Sequence, residues 1–229
     1  MIDRSKADAY FVTVEAESSP AVEFEDWTEN SPIYRLNYRG NLPENPILPK
    51  SAIRKDNRPL NDVFWVESNG NAVSARFKAI IEAAEPGVHR FFPLQIKNAD
   101  GSLVAEPYFM FAVCQKSVCV LPDRSDSRTP FRVRFGPNTG MPIMKCNDSG
   151  LTLSRPAIGQ MKVFCTSLVA GGKLIVSKEV GEQLIDQHIT ELRMNPVSLV
   201  DEAWSLEKHA PLFAEWFKDH PEQLNDLFD

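Results

Sequence analysis

The chain lacks the short motifs that most often announce chemistry. It has no Gly-x-Gly-x-x-Gly, and its one glycine pair before a lysine, Gly171-Gly172-Lys173, is followed by Leu174. A phosphate loop needs a serine or threonine there to reach the metal, and a further glycine upstream. Four histidines, His89, His188, His209 and His220, are scattered, with no His-Glu-x-x-His frame and no adjacent nucleophile motif. Four cysteines, Cys114, Cys119, Cys146 and Cys165, form no Cys-x-x-Cys pair, and no histidine stands at metal-ligand spacing from them. This predicts reduced structural thiols in a cytoplasmic protein, with no metal and no cofactor. A Cys/His dyad assembled only in space stays open. No run approaches the roughly 18 apolar residues of a membrane helix. The N-terminal Met-Ile-Asp-Arg-Ser-Lys-Ala-Asp has no apolar core of a secretory signal. The expectation is therefore a protein with no membrane span and no catalytic residues to name.

What the chain does have is an internal echo. Val73-Ser74 opens a helix-like run that closes in Arg90-Phe91-Phe92-Pro93-Leu94-Gln95-Ile96. At an offset of 103 residues, Val176-Ser177 opens a second run closing in Arg193-Met194-Asn195-Pro196-Val197-Ser198-Leu199. A serine before an apolar-periodic run is an N-cap, because its hydroxyl accepts from an orphaned first-turn amide. Phe77, Ile80, Ile81 and Ala84 make one helical stripe, and Val180, Leu184 and Ile185 make the other. The first helix should stop at Pro86-Gly87, while the second should fray near His188 to Glu191. Each helix leads into a strand holding a proline, which cannot donate to a ladder. Each proline is thus expected at a strand start, bulge or edge. The pattern implies an α+β fold of mixed or antiparallel sheets, with two similar helix-strand units and a C-terminal helical segment.

Three regions follow along the chain. Residues 1–62 hold a first strand, Tyr10 to Glu15, then an irregular arm from residue 16. The arm is rich in Pro, Asn, Asp and Glu, and Phe24, Trp27, Tyr34 and Tyr38 should anchor it to the core. Residues 63–200 form the α+β core. Strands are expected at Val63 to Val66, Leu94 to Lys97, Tyr108 to Val113, Ser117 to Leu121, Phe131 to Phe135 and Met161 to Leu168, with Gly136 to Gly150 as loop. Residues 201–229 form an acidic, aromatic helical tail within what should be one compact domain.

The tail carries the whole net charge of −6. It holds eight acids against Lys208 and Lys218, while the other 200 residues carry 23 acids and 23 bases. Large aromatics interleaved with acids make a protein-binding surface, and the charge would steer a basic partner. Trp204, Glu207, Phe213, Glu215, Trp216 and Asp219 are the candidate partner-binding residues. The plainer alternative is a terminal helix docking its own Trp and Phe, with its acids in solvent. Arg124, Arg128, Arg132 and Arg134 form the densest basic patch. With the rest of the chain neutral, they read as edge-strand protection, and no nucleic acid is expected as a partner.

Five stretches stand out together: Val73-Ser74-Ala75-Arg76-Phe77-Lys78, Phe91-Phe92-Pro93-Leu94, Tyr108 to Val113, Val120-Leu121-Pro122-Asp123-Arg124-Ser125 and Leu174-Ile175-Val176-Ser177. They resemble the eleventh immunity-protein family of bacterial polymorphic toxin systems. The resemblance implies an Asp-x-x-Ser-like element, which Asp123 with either Ser125 or Ser127 would fill at a looser spacing, since position 126 is Asp. The resemblance implies a non-enzymatic cytosolic protein that binds and blocks a cognate toxin effector. It transfers no catalytic residue. Two other functions stay open at this level, an enzyme with a cleft between the repeat halves and a self-assembling adaptor, and the oligomeric state is not set by sequence.

Overall fold

The structure is a computed structural model. It describes residues 4–14, 19–27, 44–66, 70–125, 132–135, 142–145, 150–167, 169 and 174–221. The fold is α+β. In chain order the strands are β1 (Ala9–Val14), β2 (Val22–Phe24), β3 (Ser51–Arg54), β4 (Val63–Val66), β5 (Gly70–Ser74), β6 (Arg90–Lys97) and β7 (Tyr108–Ala112). There follow β8 (Lys116–Ser117), β9 (Arg132–Phe135), β10 (Pro142–Lys145), β11 (Thr152–Ser154), β12 (Val163–Thr166), β13 (Leu174–Ser177) and β14 (Leu192–Val200). The helices are α1 (Ala75–Ala84), α2 (Arg155–Ile158), α3 (Lys178–Asp186), α4 (Leu206–His209) and α5 (Pro211–Asp219).

Two compact units divide the chain. One comprises Met1–Val12, Lys116–Lys178 and Met194–Asp229, and the other Thr13–Gln115 and Glu179–Arg193. This division interleaves the chain and differs from the three consecutive regions expected. The reason is topological, since the first strand pairs with strands more than 160 residues away. The arm also differs from expectation, because its described part supplies β2 and β3 to a sheet. Tyr34 and Tyr38 lie outside the described residues. Within the expected loop Gly136 to Gly150, Pro142–Lys145 pairs with β9 as a separate hairpin. Of the run Ser117 to Leu121, only Ser117 is in a strand, and Val120 makes a single bridge to Leu153.

In the unit Thr13–Gln115 with Glu179–Arg193, the six-stranded sheet runs β2-β3-β6-β7-β5-β4. Ser74 ends β5 and caps α1, its Oγ accepting from Phe77 N–H at 3.2 Å. The stripe Phe77, Ile80 and Ile81 is buried, and Phe77 meets Phe111 edge-on at 5.5 Å. A core formed by Phe64, Leu94, Ile96, Tyr108 and Met110 holds this unit, with Phe64 and Tyr108 edge-on at 5.3 Å. Helix α1 stops at Ala84, and Gly87 takes φ +71°, so the Pro-Gly pair ends it as expected.

The end of α3 is more ordered than a frayed end. Ile189 N–H donates to Leu184 O, and His188 N–H to Ile185 O, both at 3.0 Å. That pair of bonds is a Schellman closure, with buried Ile189 against buried Leu184 as its apolar clasp. His188 takes the left-handed position, φ +51°, which glycine usually fills.

In the other unit the sheet runs β11-β14-β1-β13-β12-β8. Its core gathers Phe11, Leu153, Phe164, Ile175 and Val197 with Phe213 and Phe217 of α5. Ser154 caps the one-turn helix α2, accepting from Ala157 N–H at 3.3 Å.

The echo extends to topology. Strand β5 leads through α1 to β6, and β7 lies between them, antiparallel to both. Strand β13 leads through α3 to β14, and β1 lies between them. Outside β5 sits β4, antiparallel, as β12 sits outside β13. Beside β6 runs β3, parallel, as β11 runs beside β14. The registers agree as well: Val63 faces Val73 in one sheet and Val163 faces Val176 in the other. Ser74 N–H donates to Asp62 O, and Ser177 N–H to Lys162 O, each at 2.7 Å.

This explains the two prolines. Both lie inside long strands of their sheets. Gln95 N–H reaches Lys50 O at 2.8 Å, and Ser198 N–H reaches Leu151 O at 3.1 Å. The parallel partner begins opposite Gln95 in one case and Ser198 in the other. Backbone groups alternate sides along a strand, so Pro93 and Pro196 point to that same side, two residues before the partner starts. The missing N–H thus falls where the parallel ladder has not begun, a local edge inside the sheet.

Candidate functional site

The tail is tied down by polar contacts before it buries its aromatics. Ser205 Oγ accepts from Lys208 N–H at 3.3 Å and starts α4. His209 is buried, and its Nδ1 accepts from Ser205 N–H at 3.0 Å. Nε2 is then the protonated nitrogen and donates to Glu202 Oε1 at 3.2 Å. Trp204 stacks on the His209 ring at 6.2 Å, and its Nε1 donates to Val120 O at 3.1 Å. Ser154 Oγ donates to Glu202 O at 2.6 Å. The Glu202 carboxylate also receives Lys208 and, at 3.0 Å, Arg124. Hydrogen bonding from Lys208, then His209, pulls its pKa down to about 2.

Pro211 opens α5, where its missing N–H costs nothing. Phe213 and Phe217, one turn apart, are buried in the core. Their spacing turns Leu212, Glu215 and Asp219 outward, and Leu212 is 58% exposed. Glu207 on α4 is exposed too. Lys218 is engaged by Glu215 at 3.5 Å. Trp216 is half-buried and stacks flat on His220 at 3.8 Å.

The six candidate residues thus separate by burial. Glu207, Glu215 and Asp219 face solvent, and Trp204 and Trp216 are half-buried with one side on the core. Phe213 is 0% exposed and serves to dock the tail, so it has no face to offer while the tail is seated. Burial of this kind matches the plainer alternative for the tail aromatics. Two residues were missed. Leu212 is the exposed apolar position of α5, readable from the Phe213/Phe217 spacing. Glu202 is the anchor of the network, which no local pattern marks, because Arg124 comes from 78 positions away. Glu222, Asp226 and Asp229 lie outside the described residues.

Other clusters resolve into structural roles. Asp123, Glu202 and His209 place ligand-type atoms within 4.8 Å of one another. Lys208 and Arg124 already neutralise Glu202, and the His209 Nε2 proton points at it, so the donor set does not fit a cation. Ser125, of the Asp-x-x-Ser-like element, is buried; its Oγ donates to Leu121 O at 2.8 Å and accepts from Thr152 N–H at 3.0 Å. It pins the turn after Val120 to β11. Asp123 is exposed, and Ser127 lies outside the described residues. Arg124 is committed to Glu202; Arg128 and the side chains of Arg132 and Arg134 are not described.

In the other unit, His89 and Cys114 do come together, but not as a dyad. His89 Nδ1 accepts from Cys114 backbone N–H at 3.2 Å, and Nε2 faces Glu85 Oε2 at 3.0 Å. Burial lowers the His89 pKa against the pull of Glu85, and burial raises that of the Cys114 thiol. Cys119 and Cys165 carry buried thiols, which burial pushes up to about 12. These are inert sulfurs, since the thiolate is the reactive form. Asp62 makes a second clip. It accepts from Ser74 Oγ at 2.6 Å, Arg76 at 2.9 Å and Thr190 N–H at 3.2 Å.

Fold and contacts together define an α+β protein built on a repeated sheet motif, with an acidic helical segment seated on one core. The family is shown directly: a model of the immunity protein family (Imm11) matches residues 6–198, and the chain belongs to that family. The match takes in both copies of the motif and ends before α4 and α5. A search of curated proteins gives no match. No helix among the described residues is long and apolar enough to cross a membrane.

Proposed function

We propose that this immunity protein binds a cognate toxin effector of a bacterial polymorphic toxin system one to one, in the cytoplasm, and neutralises it by occlusion without catalysis. Family membership carries the reading. Within it, the tail is the proposed contact. Glu215 and Asp219 share the outward face of α5 with exposed Leu212, Glu207 is exposed on α4, and the half-buried Trp204 and Trp216 lie on the same segment. Acids rimming an apolar position steer a basic partner and speed its docking, and salt weakens that steering. The segment lies beyond the family-wide match, which is where partner-specific contacts belong.

The test is co-purification with candidate toxin domains of polymorphic toxin systems, then kinetics on Glu207→Lys, Glu215→Lys and Asp219→Lys combined. The expected result is association slowed about tenfold or more at low salt and converging with the parent at high salt. An unchanged rate at low salt removes the tail from the contact, and no complex at all removes the occlusion reading.

A further inference from the structure

We infer that the slot between β13 and β14 is an autonomous binding site for an extended segment, and that residues 8–14 are its ligand. The inference rests on the doubled sheet and is independent of the toxin-binding reading. In the first copy, the strand between the two parallel strands is β7, and it follows β6 directly through the connection 98–107. In the second copy no strand among the described residues after β14 joins the sheet, and the chain goes on to α4 and α5. The position is taken by β1, from the other end of the chain. The second copy is therefore the first with its last strand moved to the front.

The fit of β1 is that of a ligand in a made site. It pairs antiparallel with β13 along Ala9↔Ser177, Tyr10↔Val176, Phe11↔Ile175 and Val12↔Leu174. On the other side, Asp8 N–H donates to Val197 O at 3.0 Å, and Thr13 Oγ1 to Arg193 O at 3.4 Å. Those two bonds set β1 antiparallel to β14 as well, as β7 is to β6. The Asp8 carboxylate caps the end of the slot by accepting from Leu199 N–H at 3.0 Å. Tyr10 and Phe11 are both buried, one on each face, and Phe11 joins the core that holds Phe213. The segment is bonded on both edges between Asp8 and Thr13 and buried on both faces from Ala9 to Val12, so non-covalent contacts hold that stretch. This is strand addition, in which main-chain bonds give affinity and alternate side chains give specificity.

The experiment uses the full chain with a protease site placed between residues 14 and 19. After cutting, the N-terminal fragment is expected to stay with the body on gel filtration. A labelled synthetic peptide of residues 4–15 in excess should exchange into the cut protein and co-elute with it. The Phe11→Asp peptide should compete on the order of a hundredfold less well, as loss of a buried aromatic requires. Release of the fragment on cutting, with the body's circular dichroism and melting unchanged, would overturn the proposal. So would a retained fragment that the labelled peptide cannot replace even after a cycle of urea and dilution. Equal competition by the Phe11→Asp peptide would do the same.

Discussion

Two histidines show how single residues carry cost and condition. His188 closes α3 in the left-handed region, where a Cβ is crowded and glycine is not. Its own contribution to the closure is backbone, through its N–H to Ile185 O and its carbonyl accepting from Arg76. His188→Gly keeps both bonds and removes the strain, offset by the larger freedom of glycine in the unfolded chain. The expected outcome is a gain of about 0.5–1 kcal/mol in urea unfolding. His89 sets a pH limit instead. Its folded pKa is lowered by burial, below the roughly 6.5 of the unfolded chain. As pH falls below that value, the unfolded chain takes up a proton that the folded chain resists, so stability is full above it and declines toward acid. Glu202 acts in a lower window: its contribution is present above the ordinary glutamate range and fades as pH drops toward about 2. Denaturation at pH 7.5 and 5.5 should show the first decline in the parent and a flatter profile in His89→Gln.

At the scale of elements, much was legible because the signals were local. A serine before an apolar stripe placed α1, with its buried face at Phe77, Ile80 and Ile81. Ser74 is worth more than its cap, since its hydroxyl accepts from Phe77 N–H and donates to Asp62. Ser74→Ala should therefore cost about 1–2 kcal/mol, at the upper end for a cap, read as a lower urea midpoint with unchanged slope. The prolines were legible only in part. That each must sit where the ladder calls for no N–H follows from chemistry, but the local edge inside a sheet depends on where β3 and β11 begin, which are strands from distant segments. Strands β2 and β10 were missed for a related reason. Short strands among Pro, Asn and Asp carry little periodicity, and their partners, β3 and β9, supply the order. The matching Val63-Phe64 and Val163-Phe164 were in plain view, and they align only once β4 and β12 are known to flank the echo.

At the scale of the molecule, the tail's composition marked it as special without saying which residues face out. Charge and aromatics were equally consistent with a contact surface and with self-docking, and burial assigns the two roles to different side chains. Phe213 and Phe217 dock, while Glu207, Glu215, Asp219 and Leu212 are presented. Deleting residues 201–229 would thus strip a core and a surface together, which makes charge reversal the cleaner probe of binding. The docking role has its own test. The tail belongs to the core of Phe11, Leu153, Phe164, Ile175 and Val197, and the other unit has a separate core around Phe64, Tyr108 and Met110. Phe213→Ala leaves a cavity in the first of these and should cost about 3–5 kcal/mol there. Local opening follows the contacts that are lost, so hydrogen exchange should locate the damage. Amides of Ile175 and Val197 should exchange faster, while those of Ala72 and Met110 keep their protection. Equal acceleration in both sheets would mean that the two cores melt as one cooperative unit, whatever the division of the chain between them.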